Sequence, residues 1–94
     1  MSINVTYSKT PMPDRRNVHH FAIKKSLLED QSDAELLASL IRHTYEGSES
    51  CGVGISAADL IGAANTVPSD IIEFVVGRDS RGDVYLACGS AKEL

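Results

Sequence analysis

Ile71-Ile72-Glu73-Phe74-Val75-Val76-Gly77-Arg78-Asp79-Ser80-Arg81-Gly82-Asp83-Val84-Tyr85-Leu86-Ala87-Cys88 is the stretch on which the fold turns. Two runs dense in β-branched and aromatic residues flank a segment of Gly, Asp, Ser and Arg. Such side chains suit a pleated, half-buried surface, and Gly, Asp and Ser supply turn conformations. The stretch reads as a β-hairpin with a six-residue loop, Gly77–Gly82, and a second strand over Asp83–Cys88. The rival is a helix–turn–helix: a short helix Ser56–Ala64, a turn Asn65–Pro68, a recognition helix Ser69–Val76, and Asp83–Cys88 as part of a wing. Its would-be reading helix is apolar and acidic. It has no Arg, Asn or Gln before Arg78 to donate to bases or phosphates.

Upstream of this stretch, Ser56-Ala57-Ala58-Asp59 is a capping box opening a short helix with Leu60, Ile61 and Ala64 inward. Asn65 is placed to end it in a left-handed cap, and Pro68 forbids continuation. Residues 47–54 (Gly-Ser-Glu-Ser-Cys-Gly-Val-Gly) read as a flexible loop. Before them, Ser32-Asp33-Ala34-Glu35 is a second capping box. It starts a helix from roughly Asp33 to Glu46, with Leu36, Leu37, Leu40, Ile41 and Thr44 on one face and Gly47 as the stop.

Residues 14–28 are the ambiguous part. Val18, Phe21, Ala22 and Leu28 fit one helical face, widened by Ile23 and Leu27, after an Asp14 N-cap. Arg15, Arg16, His19, Lys24 and Lys25 would then point to solvent. The spacing predicts a helix here, with a strand over Val18–Ile23 as the competing reading. At the N-terminus Ile3, Val5 and Tyr7 alternate with Asn4, Thr6 and Ser8, which predicts a strand ended by Pro11 and Pro13.

Assembled, these elements predict a single α+β domain of two layers. Two or three helices pack on a three-stranded, mainly antiparallel sheet, in which the first strand pairs with the C-terminal hairpin. Residues 89–94 would be a frayed tail. Ninety-four residues with 43% apolar content support one modest core, and with five aromatics and no Trp it must be mostly aliphatic. No stretch approaches the roughly 20 apolar residues of a membrane span, and no basic-then-apolar leader opens the sequence. A cytoplasmic location is the default expectation, and Cys51 and Cys88 are then expected as free thiols.

The net charge of −4 conceals an asymmetry. Residues 1–28 carry five Lys/Arg against Asp14, a balance of +4, and residues 29–94 carry four against twelve carboxylates, a balance of −8. One reading is mutual neutralisation, the basic segment lying beside the acidic body. The other is an oppositely charged partner. Contacts would come from Arg15, Arg16, Lys24 and Lys25 on the basic side and from Glu46, Glu49, Asp79 and Asp83 on the loops.

Other candidates have bland explanations. His19 and His20 point to different sides on either a helix or a strand. No metal-ligand spacing occurs, so the histidines read as surface or capping residues with no metal or cofactor. Cys51 with His43 upstream could form a thiol and its base, but Glu46 and Glu49 oppose the thiolate. Gly52-Val53-Gly54 lacks both the Lys-Ser/Thr and the preceding strand of a phosphate loop. Arg81-Gly82-Asp83 is a turn, with Asp83 opening a strand.

Ile3 to Pro13 resembles the first strand and turn of small DNA-damage-inducible modulators of the RecA recombinase. The resemblance covers those residues alone. That family's acidic, Trp-containing C-terminal helix has no counterpart here, and no role is carried over.

The expected function is a non-enzymatic regulator of the inhibitor or antagonist type that binds a protein through a charged surface. The alternatives are a helix–turn–helix-like nucleic-acid binder using the basic segment, and a small enzyme built on Cys51. A homodimer through an exposed strand edge, Ile3–Tyr7 or Asp83–Cys88, is a further expectation.

Overall fold

A computed structural model describes residues 4–11, 17–46, 55–78, 81 and 84–91. The element order is β1 (Thr6–Pro11), β2 (Asn17–Lys24), a 3₁₀ turn (Lys25–Glu29), α1 (Gln31–Glu46), α2 (Ala57–Ala64), β3 (Ile71–Arg78) and β4 (Val84–Ser90). The four strands form one antiparallel sheet in the order β1-β2-β3-β4. The α+β class is as expected. The sheet gains a fourth strand because residues 17–24, expected as helix, are extended.

The strand wins at 17–24 because its helix-facing row is buried throughout and Ala22 on the other row is buried too. His19, Phe21 and Ile23 face the helices, and Val18, His20, Ala22 and Lys24 take the other side. Both rows contain apolar residues, so no clean alternation shows in the sequence. Neighbours on both sides satisfy the backbone of β2, which a strand on its own could not achieve. β2 therefore lies between the first strand and the hairpin, and β1 pairs with β2 instead of with the hairpin.

β1 is shifted relative to the sequence expectation, running from Thr6 to Pro11 with Asn4 and Val5 ahead of it. Pro11 closes the strand opposite Asn17, a position tolerated because β1 is an edge. At the other end, β3 keeps Gly77 and Arg78, and β4 runs on to Ser90. Ala91 N–H still donates to Ile71 O at 2.9 Å, so residues 89–91, expected as tail, are tied into the sheet, and residues 92–94 lie outside the described residues. Gly77 stays in the strand because Tyr85, directly opposite, lies over it. A Cβ at Gly77 would meet Tyr85 Oη at 2.8 Å.

The core lies between the sheet and the helices. Phe21, Ile23, Ile72, Phe74 and Val76 face Ala34, Leu37, Ala38, Ile41, Leu60 and Ala64, all nearly fully buried. α1 turns Ala34, Leu37, Ala38 and Ile41 inward, whereas Leu36 and Leu40 are 42% and 38% exposed. The leucine face predicted from spacing is thus rotated. Two alanines occupy the close approach, and a pair of leucines is left on the flank.

α1 also begins earlier than expected. Asp30 Oδ1 accepts from Asp33 N–H at 3.1 Å and Asp30 O accepts from Ala34 N–H, which makes Asp30 the cap and leaves Ser32 inside the first turn. α2 behaves as its sequence predicts. Ser56 N–H donates to Asp59 Oδ2 at 2.9 Å, and Asp59 N–H donates back to Ser56 Oγ at 3.3 Å. Its Asn65 end is right-handed (φ −66°, ψ −15°), not left-handed, because Thr66 and Val67 continue the turn through bonds to Ala63 and Ala64.

Candidate functional site

The edge strand β1 carries the most exposed large apolar side chain among the described residues, Tyr7 at 45%. Tyr7 stands opposite Phe21, and Lys9 stands opposite His19. The Tyr7 hydroxyl and His19 Nδ1 share a 2.8 Å hydrogen bond, and the Tyr7 ring leans over both His19 and Phe21 at centroid distances of 5.9 and 5.2 Å. His19 itself is 7% exposed, so it is a buried residue and not the surface histidine expected. Burial, with Lys9 and then His20 nearby, pulls its pKa below 6.5 and favours the neutral ring.

On the opposite face of the sheet, which no described helix covers, a polar chain crosses three strands. Thr10 Oγ1 lies 3.0 Å from His20 Nε2, and His20 Nδ1 lies 3.6 Å from Glu73 Oε1. The two adjacent histidines do point to opposite sides of the sheet, as any strand requires.

Of the eight predicted contact residues, Arg15, Arg16, Glu49, Asp79 and Asp83 lie outside the described residues, and Glu46 is the last residue of α1. Lys24 ends β2 and is exposed. Lys25 is half-buried, and its Nζ donates to Val67 O, tying the start of the 3₁₀ turn to the α2–β3 connection. It was expected to contact a partner, yet here it does internal work. Beside it, a groove of about 410 Å³ is lined by Lys24, Lys25, Ser26, Glu29, Asp70 and Ile71. Two amines facing two carboxylates give that groove no preference for an anion.

The helical layer carries the clearer charge. Glu29, Asp30, Glu35, Asp59 and Asp70 are all exposed. Among the described residues, none of the five forms a salt bridge with a lysine or arginine. Arg42, the cation nearest the α1–α2 cleft, is half-buried and donates from Nη1 to Ile55 O at 2.6 Å.

Cys88 faces the helices from β4, packed against the core, and burial raises its thiol pKa. It acts as a small apolar side chain. Cys51 and the Gly52–Gly54 segment lie outside the described residues. Among the described residues no group of three His, Cys, Asp or Glu side chains is placed to hold a metal ion. No described helix is long and apolar enough to cross a membrane.

Sequence reasoning missed the Tyr7–His19 pair, and it read Glu29, Asp30, Glu35 and Asp59 as capping or solvating acids and left all five acids out of the contact surface. The pair becomes visible once residues 17–24 are read with period two, which puts His19, Phe21 and Ile23 on one face. Comparison with known proteins finds no matching family model, no similar curated protein and no similar solved structure. The likeness of residues 3–13 to the recombinase modulators therefore stands without support from these comparisons.

Proposed function

We propose that the chain is a non-enzymatic regulator that binds a protein partner through its charged surface, in the manner of an inhibitor or antagonist. The observation that carries this reading is the set of five exposed carboxylates on the helices and their connections, none of them in a salt bridge with lysine or arginine within the described residues, although Glu29 and Asp70 share a groove with Lys24 and Lys25. An excess of charge of one sign on a folded surface steers and selects a partner of opposite charge. A basic protein surface is the fitting complement, with exposed Lys24 at the border available to an acidic rim on the same partner.

The helix–turn–helix alternative lacks its second helix, since Ile71–Arg78 is the strand β3 inside the sheet. No specific observation favours nucleic acid over protein.

The test is affinity capture from native lysate with the wild-type chain and a triple charge reversal, Glu29→Lys, Glu35→Lys and Asp70→Lys. These positions are exposed and outside the helix caps. A partner captured by the wild type, released by raised salt and lost with the triple variant supports the reading. Identical capture by both chains, or nuclease-sensitive capture, overturns it.

A further inference from the structure

The outer edge of β1 is an unfilled place in the sheet. β1 pairs with β2 on one side, and among the described residues nothing pairs with it on the other. Thr6 to Thr10 are all exposed. Among the described residues, three of the four exposed large apolar side chains are Tyr7 on this strand and Leu36 and Leu40 on α1. The fourth, Tyr85, covers Gly77 instead.

The two leucines lie on the flank of α1 away from α2. Ala38 and Arg42 line the α1–α2 cleft with Ala57 and Ala58, and Leu36 and Leu40 sit about 160° around the helix axis from that pair. α1 packs against α2, and α2 approaches β4, the sheet edge opposite β1, so the leucine flank is the side of α1 turned from α2. The open strand edge, the half-exposed tyrosine and the apolar helix flank all lie away from α2 and β4.

Which occupant fits is indicated by the sequence of β1, Thr6-Tyr7-Ser8-Lys9-Thr10. Laid antiparallel against itself about Ser8, it matches Thr6 with Thr10, Ser8 with Ser8 and Tyr7 with Lys9. Directly opposite residues share a face. Tyr7 of each copy would therefore meet Lys9 of the other on the helix side, and the hydroxyl side chains would line up on the other face. His19 holds the Tyr7 ring down over β2, leaving its exposed surface for the incoming ammonium, a cation–π contact made twice by symmetry. Self-complementarity of this kind is what an isologous two-fold interface requires.

We propose that this chain self-associates through β1, two copies pairing antiparallel about Ser8 into one continuous eight-stranded sheet with their α1 flanks side by side. Five paired residues and two leucines per copy sit at the low end of specific interfaces, so the dimer is reversible and concentration-dependent.

Lys9 gives the sharpest test, because a lysine on an edge strand has an opposite use, to repel strand pairing. Sedimentation velocity of the whole chain from about 5 to about 500 μM should show mass rising toward twice the monomer's. Lys9→Thr should weaken association about fivefold or more. In a Cys51→Ser background, Ser8→Cys should form an intermolecular disulfide faster than Thr66→Cys, an exposed control on the helical side. A monomer throughout that range, Ser8→Cys no faster than the control, or stronger association of Lys9→Thr would each overturn the proposal.

Discussion

His19 is a buried imidazole between a tyrosine hydroxyl and a lysine, and its depressed pKa makes stability depend on pH with a definite sign. Folding favours the neutral ring, so its contribution is complete above the unfolded pKa of about 6.5. It declines as pH falls below that value and levels off once pH is under the lower folded-state pKa. Urea unfolding at pH 7.5 and 5.0 should show a larger loss for the wild type than for His19→Gln, the difference between the two isolating this ring from the other titrating groups. Gly77 is the other residue whose surroundings dictate its identity. Gly77→Val should cost about 1–2 kcal/mol by displacing the Tyr85 ring. In Gly77→Val/Tyr85→Ala that penalty should shrink, giving a measurable coupling in a double-mutant cycle. Neither environment was legible from composition. His19 looks like a surface residue until its strand partners are known, and Gly77 looks like loop until Tyr85 is placed above it.

At the level of elements, the most instructive pair is Asp30 and Ser32. The sequence offers Ser32-x-x-Glu35 as a capping box, but the chain reaches the helix one turn of 3₁₀ earlier, and Asp30 takes the cap. Asp30→Ala should therefore cost about 1 kcal/mol in thermal or urea unfolding, with Ser32→Ala close to neutral. The neighbours Leu36 and Leu37 make a similar contrast. Leu37→Ala should cost about 2–5 kcal/mol and Leu36→Ala less than about 0.5. Helix existence was legible in both cases because caps and apolar spacing are local signals. The orientation of α1 was not, since its leucine-rich sequence satisfies two faces equally and the alanines that pack closely announce nothing. The hairpin of β3 and β4 was legible for the same local reason. β2 was not, because its extended form depends on partners far away in sequence, Phe74 opposite Phe21 among them.

For the whole molecule, one core holds one sheet to one layer of helices, and charge is divided unevenly over its surface. The asymmetry itself was readable from the residues, as was the α+β class. The eight contact residues proposed from it could not be ranked by sequence. Lys25 shows why, being drawn into an internal bond by a carbonyl more than forty positions away.

The central seam between β2 and β3 has a further consequence. One half of the chain supplies β1, β2 and α1, the other α2, β3 and β4, and the join between them in sequence is the segment 47–54. Each half contains a complete pair of neighbouring strands and one helix but only part of the core, so neither alone can exclude water from its apolar face. Severed in that segment, the two pieces should stay unfolded apart and regain the native circular dichroism spectrum when mixed, which makes this small domain a ready-made pair of complementing fragments.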